Sequence, residues 1–510
     1  MTPRMQVVVT MAGSGERFRE AGFAEPKPLI DIAGRTMIAR ALDMFPRDWR
    51  FVFICSEEHL RATRLREAIL SCVPDAEVAG IAPHRLGPAH TLLSAQSLVA
   101  DDLPTLVNYC DFSFVWDPAH FRAFASRTEC DGAVLCYRGD FPHYANNMMY
   151  AYCREEGGRV REVREKGHFT PDRTREYASS GSYYFRSGRL AKEYCRQTIA
   201  QGLQVNGEHY MSLVFNPMIA AGLKVLVYEI PFFLQWGTPQ DLEDYGYWHR
   251  VFERFARWSP PPPHGPRLAM PMAGLGSRFQ LGGVPKPLIP VLGKPMFLAA
   301  REFLPAGAQP PVLVLRREIA AAAAAAAPGA VQVVLDAPTD GQAVTTERAL
   351  AALAPEEPVL VSSCDHGLLW DPAAWDALLA EGPDLVVVGQ RGYPGARRSP
   401  QSFAYLRAEK GRVRGVSVKV PLSDAPHRDL VLVGTFYFRS ARRLGELIAE
   451  LRSRDLRVNG ELYLDSVVQL AVDRGLDCRC FESDAYLNWG SPEALAEFSY
   501  WHRYFQGARP

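Results

Sequence analysis

The chain has 510 residues, 47% of them hydrophobic and 22% charged, and its 57 basic residues balance 57 acidic ones. This length exceeds one ordinary core and predicts two domains of roughly 250 residues each. The composition is typical of globular proteins and excludes a fibrous or disordered chain. A formal net charge of zero argues against nucleic acid as the main partner.

Neither a membrane segment nor an export signal is predicted. The sequence has no run of about 20 apolar residues, the length that crosses a bilayer. Residues 1–10 hold one arginine and a short apolar run, without the cleavage site of a signal peptide. The ten cysteines show no metal-ligand spacing. We therefore expect reduced thiols in a cytoplasmic protein that binds no membrane.

In chain order, the apolar runs of the first half predict the strands of a sheet. Residues 7–9 lead into a glycine-rich loop, residues 51–55 form a second run, and residues 105–108 end just before Cys110 and Asp111. Helical segments separate these runs. Continuous apolar strands that alternate with helices are typical of a parallel sheet covered on both faces, so the predicted fold class is α/β.

The second half repeats the first. The matched segments are 11–18 with 272–279, 26–30 with 285–289, 110–111 with 364–365, 184–187 with 437–440, 205–208 with 458–461, 236–239 with 489–492 and 247–250 with 500–503, and the strands return at 268–270, 312–315 and 359–361. Ordered matches of this kind indicate a tandem duplication. The proline-rich segment 259–266 predicts an extended linker between a first domain, 1–258, and a second, 267–510.

The loop after the first strand of each copy reads Gly-x-Gly-x-Arg-Phe, with its arginine at Arg17 and Arg278. It falls at the carboxyl end of a strand, where open parallel sheets bind ligands. Glycines let the backbone approach phosphate oxygens, and the arginine adds a charged donor fork. A tight strand–helix turn is the alternative, because a third glycine and the Walker lysine are both missing.

A lysine between two prolines follows each loop, at Lys27 and Lys286. Prolines on both sides restrict the backbone and aim the side chain, which suits an ammonium group that must meet a triphosphate. An exposed loop lysine is the alternative for one copy alone. The repetition of the motif shortly after the arginine favours the functional interpretation.

An aspartate follows the third strand of each copy, at Asp111 and Asp365. A carboxylate at this edge of the sheet is able to hold Mg²⁺, which typically uses one or two carboxylates plus substrate phosphates. Capping of a helix N-terminus is the alternative. We predict that capping role for Asp117 and Asp371, each of which precedes a proline.

These motifs together resemble the sugar-phosphate nucleotidyltransferase family over nearly the whole of each half. The resemblance implies two tandem Rossmann-like domains of the glycosyltransferase-A type with mostly parallel central sheets. It implies Arg17, Lys27, Arg278 and Lys286 as catalytic residues, Asp111 and Asp365 as Mg²⁺ ligands, and Ala12, Gly13, Gly15, Gly87, Ala273, Gly274, Gly276 and Gly341 as nucleotide-binding residues. Of these, Gly87 and Gly341 resemble the glycine that packs on the nucleobase.

The resemblance also implies an acceptor site. Its predicted residues are Lys166, Gly181 and Glu208 in the first copy and Lys419, Gly434 and Glu461 in the second. Lys166 follows Glu165 in the family's Glu-Lys pair, whose lysine holds the acceptor phosphate. The second copy has Val418 before its lysine and thus loses the carboxylate. The two glutamates of the Asn-Gly-Glu segments have an alternative interpretation as helix-start residues.

One position departs from the family pattern. The second metal aspartate is replaced by Gln235 in the first copy and by Asn488 in the second. Either the metal depends on one carboxylate and phosphates, or another acid such as Asp241 substitutes. Ala494 stands where the second copy would have that acid, so the second copy is the better candidate for lost activity.

The sequence thus predicts a Mg²⁺-dependent enzyme that joins a nucleoside triphosphate to a phosphorylated small molecule and releases pyrophosphate. The alternative is a regulatory protein in which one or both copies bind these ligands without chemistry. A glycosyltransferase is disfavoured because Asp111 and Asp365 do not begin an Asp-x-Asp motif. The nucleobase, the acceptor (a sugar phosphate or a phosphocholine-like molecule) and the oligomeric state, a homo-oligomer included, stay open.

Overall fold

The computed structural model describes residues 4–13, 15–146, 148–263 and 265–507. Ser14 of the first glycine loop, His264 of the predicted linker and the outermost residues of both predicted domains lie outside the described residues. The chain forms two compact units, Met1–Gly246 with Arg503–Pro510 and Tyr247–His502. The domain bounds and the linker at 259–266 stay predictions.

The first unit contains thirteen strands and its helices in an alternating order. The strands are β1 (Gln6–Met11), β2 (Asp31–Ile32), β3 (Arg35–Thr36), β4 (Arg50–Ser56), β5 (Glu77–Ile81), β6 (Thr105–Asn108), β7 (Phe112–Val115), β8 (Gly132–Tyr137), β9 (Ala151–Glu156), β10 (Arg159–Glu165), β11 (Tyr177–Phe185), β12 (Val225–Glu229) and β13 (Phe232–Gln235). The helices are α1 (Glu16–Glu20), α2 (Met37–Leu42), α3 (Glu57–Ala62), α4 (Leu65–Cys72), α5 (Pro88–Ser94), α6 (Pro118–Thr128), α7 (Gly188–Ala200), α8 (Phe215–Ala220) and α9 (Pro239–Phe255), which continues beyond the end of this unit.

The second unit repeats this order. Its strands are β14 (Arg267–Pro271), β15 (Pro290–Val291), β16 (Lys294–Pro295), β17 (Val312–Arg316), β18 (Val331–Leu335), β19 (Val359–Ser362), β20 (His366–Leu369), β21 (Leu385–Gln390), β22 (Ala404–Glu409), β23 (Arg412–Val418), β24 (Val431–Phe438), β25 (Cys478–Glu482) and β26 (Ala485–Asn488). The helices are α10 (Met296–Glu302), α11 (Arg317–Ala326), α12 (Gln342–Ala349), α13 (Pro372–Ala380), α14 (Gly395–Arg398), α15 (Ala441–Ser453), α16 (Leu464–Asp473) and α17 (Pro492–Gly507), whose last residues, from Arg503, belong to the first unit.

Short 3-10 helices complete both units. They span Lys27–Leu29, Gln96–Leu98, Pro142–Ala145, Arg173–Arg175 and Met211–Val214 in the first unit, and Ser277–Gly282, Lys286–Leu288, Leu350–Ala352 and Pro400–Ser402 in the second.

Each unit is built on one nine-stranded sheet with the same strand order. The order is β5-β4-β1-β6-β11-β8-β12-β10-β9 in the first unit and β18-β17-β14-β19-β24-β21-β25-β23-β22 in the second. In the first, β5, β4, β1 and β6 pair in parallel, as do β8 and β12, while β10 and β11 run antiparallel to the other strands. The predicted α/β, Rossmann-like fold with a mostly parallel sheet in each copy is confirmed.

The apolar runs form the centre of each sheet because both faces are covered. All six residues of β1 are buried, and Val8 pairs with Val52 on one side and Val107 on the other. All six runs predicted as strands from the sequence are strands. Asp117 and Asp371 cap α6 and α13 by accepting two backbone N–H groups each, as predicted.

Within the described ranges, no helix is long and apolar enough to cross a membrane. The ten cysteines are free thiols, and eight of them are buried.

Candidate functional site

The predicted catalytic lysine and metal aspartate of the first unit meet at the carboxyl edge of its sheet. Lys27 begins a 3-10 turn after the extended Pro26, and Asp111 lies between β6 and β7. The Lys27 Nζ donates to Asp111 Oδ2 at 2.6 Å and lies 3.4 Å from the carbonyl oxygen of Gly237. The ammonium also lies 5.4 Å from the centre of the Phe18 ring. Two motifs separated along the chain thus form one half-buried ion pair.

The second unit repeats this pair. Lys286 Nζ donates to Asp365 Oδ2 at 2.5 Å and lies 3.4 Å from the carbonyl oxygen of Gly490. Burial alone would raise the pKa of Asp365, but the Lys286 ammonium and the neighbouring His366 outweigh it and hold the pKa well below its usual value. The carboxylate is therefore ionised throughout the physiological range.

The glycine loops lie beside these pairs but lead into different kinds of helix. Gly15 and Gly276 both have left-handed backbone, with φ of 64° and 61°, a conformation that glycine adopts without a Cβ penalty. The helix α1 comes next in the first unit, whereas a 3-10 helix, Ser277–Gly282, comes next in the second. Of the other predicted loop residues, Ala12 and Ala273 are buried, and Gly13, Arg17, Gly274 and Arg278 are exposed. The arginines are thus accessible to a ligand.

A cavity of about 670 Å³ in the first unit joins the two predicted half-sites. Its lining includes Arg17 from the glycine loop and Lys166 from the acceptor side, together with Asn146, Asn206 and Thr238. Arg17 and Lys166 therefore bring positive charge to this cavity from the two predicted half-sites. This arrangement suits a ligand pair that carries phosphates at its junction.

Gly87 and Gly341, predicted to pack on the nucleobase, are in close contact with backbone. A Cβ on Gly87 would lie 2.6 Å from the backbone N of His209, and one on Gly341 would lie 2.6 Å from the backbone N of Leu462. Both glycines also have positive φ, 92° and 125°. A hydrogen bond beside Gly87 holds the two backbone segments together, since the His209 N–H donates to the Leu86 carbonyl at 2.9 Å. A glycine is thus required at both positions before any ligand is considered.

The Asn-Gly-Glu segments form tight hairpin turns. Asn206 and Gly207 have φ of 52° and 82°, the combination that a type I′ turn requires. Val205 and Glu208 exchange both backbone hydrogen bonds at 3.0 Å. The second unit repeats this pairing between Val458 and Glu461. The alternative of a helix-start glutamate is therefore wrong, and Glu208 and Glu461 leave a turn that borders the acceptor side.

Lys166 lies on the acceptor side of the first unit with a tyrosine that the sequence analysis did not single out. Its Nζ donates to the Tyr210 hydroxyl at 2.7 Å and lies 4.8 Å from the ring centre. Glu165 accepts a hydrogen bond from the Ser212 hydroxyl at 2.6 Å. Burial raises the pKa of Glu165, while Ser212 and Lys166 lower it. Lysine, tyrosine and glutamate thus form one polar cluster.

Lys419 has a similar environment in the second unit. Its Nζ donates to the Ser402 carbonyl oxygen at 2.8 Å and lies 5.5 Å from the centre of the Tyr463 ring. Burial lowers the pKa of Lys419, and Asp465 and Glu461 act in the opposite direction. Tyr210 and Tyr463 each stand two residues after the glutamate of Asn-Gly-Glu. That repeated tyrosine was the signal in the sequence that would have found them.

Gly181 and Gly434 lie in bulged stretches of β11 and β24, against the residue that follows the metal aspartate. A Cβ on Gly181 would lie 2.7 Å from the Phe112 ring. A Cβ on Gly434 would lie 3.2 Å from the Ser363 hydroxyl and 3.7 Å from the ring of His366, which replaces that phenylalanine. His366 is buried and hydrogen-bonds the hydroxyls of Ser363 and Thr435. The glycines therefore make room for Phe112 in the first unit and for Ser363 and His366 in the second.

Asp241, the acid considered as a substitute for the second metal aspartate, makes other contacts in the structure. Its Oδ2 accepts from the N–H and the hydroxyl of Thr238, at 3.0 and 2.7 Å, at the start of α9. Its Oδ1 accepts from the Asn146 amide. Burial raises the pKa of Asp241 to about 6. These contacts make it a capping residue.

The predicted metal site of the first unit then has Asp111 as its carboxylate. In the parts of the chain that the structure describes, no group of three or more His, Cys, Asp or Glu could hold a metal ion. Gln235 ends β13, and its amide and the Asp111 carboxylate both face Gly237, where a Cβ would clash with Gln235 Nε2 and lie 3.6 Å from Asp111 Oδ2. One carboxylate and one amide fit a Mg²⁺ ion that is held mainly by substrate phosphates and water. In the second unit the amide oxygen of Asn488 accepts the Gly490 N–H at 2.8 Å.

A family model described as MobA-like NTP transferase domain matches residues 7–170 and 271–451. The bifunctional protein GlmU of Cupriavidus necator is 27% identical over 231 residues, 44% of this chain and 46% of that protein. The chain thus spans about half the length of the curated relative that it matches.

Two solved structures are also similar. A nucleoside-diphosphate-sugar pyrophosphorylase from Vibrio cholerae RC9 is 21% identical with a TM-score of 0.40, over 48% of this chain and 99% of that one. The inositol-1-phosphate CTP transferase from T. maritima is 16% identical with a TM-score of 0.36, over 48% and 97%.

Proposed function

This chain belongs to the family of MobA-like NTP transferase domains, and from that premise we propose that it transfers a nucleotidyl group to a phosphorylated small molecule. The observation that carries the proposal is the ion pair at the sheet edge. In both units a lysine next to the glycine loop meets the aspartate after the third strand, at 2.6 and 2.5 Å. An exposed arginine lies on the same side of each sheet.

The chemistry is a direct, in-line displacement. An oxygen of the acceptor phosphate attacks the α-phosphorus of the nucleoside triphosphate, a new P–O bond forms, and the bond to the β-phosphate oxygen breaks to release pyrophosphate. Lys27 stabilises the charge that develops on the α-phosphoryl oxygens, and Arg17 holds the outer phosphates. Lys166 holds the acceptor phosphate in line for attack. No covalent intermediate with the protein is needed.

Asp111, with the Gln235 amide beside it, would hold Mg²⁺ in the first unit, and Asp365 in the second. When bound, the ion neutralises phosphate charge and helps to orient the triphosphate. The Lys27–Asp111 pair is compatible with binding of both Mg²⁺ and the triphosphate. With Mg²⁺ at Asp111, the Lys27 ammonium would be free to turn towards a phosphate. The backbone around Gly237 then continues to support the lysine.

The acceptor that we propose is a sugar phosphate or a related phosphorylated alcohol, and the product an activated precursor for surface polysaccharides. A hydroxylated molecule suits the first unit's cavity, which offers the amides of Asn146, Asn206 and Gln240 beside Lys166. Amide groups donate and accept hydrogen bonds and so match hydroxyls.

Pyrophosphate release tests this proposal. The intact chain is assayed with each common nucleoside triphosphate against a panel of sugar, polyol and amine phosphates, with and without Mg²⁺. Lys27→Ala or Lys286→Ala should lower turnover in the affected unit by about 10²–10³-fold, the usual effect of removing one transition-state donor. Lys192→Ala and Lys294→Ala are matched controls, because each removes an ion-paired lysine away from the site.

Loss in only one lysine variant would assign the chemistry to that unit. Separate losses with different acceptors would identify a bifunctional enzyme. Nucleotide binding without pyrophosphate release from any substrate pair would overturn the proposal in favour of a regulatory protein. Near-normal turnover in both lysine variants would equally contradict the assigned roles.

A further inference from the structure

The acceptor cluster of the second unit contains a carboxylate at a position where the first unit has none. In the first unit Glu165, at the end of β10, touches Ser212 through a 2.6 Å hydrogen bond. In the second unit Val418 stands at the position of the glutamate, and Asp465 at the position of the serine. The carboxylate is thus on the strand in the first unit, and on the segment after the hairpin turn in the second unit.

We propose that Asp465 replaces Glu165 as the acceptor-side carboxylate of the second unit, where it receives a hydrogen bond from a hydroxyl of a phosphorylated acceptor. The inference rests on the proposed function, since it assumes that Lys419 holds the acceptor phosphate. It also extends that function, because the second unit then keeps a complete set of acceptor groups.

The surroundings of the two lysines support the exchange. Lys166 and Lys419 share a left-handed backbone, with φ of 54° and 64°. Each backbone N–H donates to the carbonyl of the corresponding residue, Tyr150 at 3.0 Å and Phe403 at 3.1 Å. Each ammonium lies near a tyrosine ring. The two clusters thus share the backbone geometry of the lysine and a tyrosine ring beside it, although the lysines donate to different partners.

Charge makes the exchange necessary. A half-buried ammonium without a carboxylate nearby is costly to desolvate. Glu461 does not make up for the carboxylate lost at Val418. Its counterpart in the first unit, Glu208, is present in addition to Glu165. With Asp465, each cluster holds two carboxylates, one lysine and one tyrosine.

Asp465 is available to a ligand. It is half-buried in the first turn of α16, and among the described residues none donates a hydrogen bond to its carboxylate. Burial raises its pKa to about 6, and the charge of Lys419 opposes that shift. A carboxylate with open acceptor positions, whose charge acts on the Lys419 ammonium, matches an acceptor that has a hydroxyl close to its phosphate. Stabilisation of the helix N-terminus is the competing explanation.

The test compares two probes, glucose 1-phosphate and inorganic phosphate, by calorimetric titration of the full chain. The parent carries Lys166→Ala, which silences the acceptor side of the first unit. Asp465→Ser should weaken glucose 1-phosphate binding by about tenfold or more, as expected for a lost hydrogen bond to a charged group. Phosphate affinity should not fall, because the variant removes a neighbouring negative charge. The exchange variant Val418→Glu/Asp465→Ser should restore glucose 1-phosphate affinity to within about threefold of the parent.

Asp473→Ser is the matched control, since it removes an exposed carboxylate from the same helix, and it should change neither affinity. The inference is wrong if Asp465→Ser weakens neither probe or both alike, if the exchange variant fails to restore binding, or if the parent binds the two probes equally. Lys419→Ala separates the two proposals. Unchanged binding of both probes in that variant would refute the proposed acceptor site itself, whereas loss of both would leave only the role of Asp465 in question.

Discussion

The two units share the groups that would surround the triphosphate and differ in those that would surround the acceptor. Both have a lysine–aspartate pair at the sheet edge and a glycine in close contact with backbone. On the acceptor side Phe112 becomes His366, and Glu165 with Ser212 becomes Val418 with Asp465. Under the proposed function, the two copies would keep one framework for the triphosphate and differ in the acceptor that they bind.

The positions that are the same in both units are constrained by the backbone, whereas the positions that differ are constrained by side-chain contacts. Gly87 and Gly341 are fixed by the path of the backbone, as are the Asn-Gly turns. The changed side chains line space and contact one another, so a change at one is compatible with a change at its partner. Substitutions that separate these two kinds of position test the comparison.

The largest effect is expected at the shared glycines. Gly87→Ala and Gly341→Ala should each lower the free energy of unfolding by about 3 kcal/mol, because the new Cβ meets backbone atoms that are unable to move aside and the φ is positive. Chemical unfolding measures the change. Equal losses in the two variants would support a common framework.

Gly22→Ala and Gly475→Ala are the controls for backbone strain alone. Both positions have positive φ, 87° and 71°, with open space around the Cα, and should cost about 1 kcal/mol. If Gly87→Ala were as mild as its control while nucleotide affinity fell, contact with the nucleobase would explain this glycine better than backbone packing.

The sequence predicted most of the framework because its signals are local. The apolar runs at 7–9, 51–55 and 105–108 lie within β1, β4 and β6, and a parallel sheet buried on both faces leaves just such runs. The reversed strands β10 and β11 were not predicted, because alternating segments do not fix the order in which strands pair. The Asn-Gly turn was present as a signal, but the sequence analysis considered only an acceptor contact or a helix start for the glutamate that follows it.

The candidate site was predicted in part. The sequence brought Lys27 and Asp111 to the same edge, and the structure places them in contact. The sequence analysis did not assign Asp241 to a cap, although Thr238-Pro-Gln-Asp241 has the spacing of a capping box with proline at the first helical position. The sequence also predicted that the second copy loses its acceptor carboxylate, because Val418 replaces the glutamate. Asp465 was missed because it is distant from Val418 along the chain, and only the Ser212–Glu165 contact of the first unit relates the two positions.

A pH-dependent difference is expected from Asp241, which the second unit replaces with Ala494. A carboxyl group whose pKa is about 6 when folded and about 4 when unfolded takes up a proton on folding between these values. Stability contributed by this group is thus present below about pH 4 and is lost as the pH rises to about 6, by about 3 kcal/mol.

Chemical unfolding of the wild type and Asp241→Asn between pH 4 and 7 measures this effect. The stability of the wild type relative to the variant should fall over that interval and then stay constant. Asp48→Asn, at an exposed position of the same unit, controls for the change of residue type. Parallel curves for the wild type and Asp241→Asn would show that Asp241 does not titrate in this range.

The smallest effect is expected at the caps of α9 and α17. Thr238 and Asp241 cap reciprocally, since the Asp241 N–H also donates to the Thr238 hydroxyl at 3.2 Å, whereas Ser491 accepts only the Ala494 N–H at 3.2 Å. Thr238→Ala should therefore cost about 1–2 kcal/mol and Ser491→Ala about 0.5–1 kcal/mol in unfolding free energy.

The pH dependence of these two costs distinguishes the caps further. Thr238→Ala removes a hydroxyl that donates to the Asp241 carboxylate, and that bond matters most while the carboxylate is charged. Its cost should shrink below about pH 6, where the folded Asp241 takes up a proton. The Ser491 hydroxyl accepts from a backbone N–H instead of donating to a carboxylate. The cost of Ser491→Ala in unfolding free energy should therefore not change with pH. Similar pH profiles for the two variants would contradict the reciprocal cap, and with it the assignment of Asp241 as a capping residue.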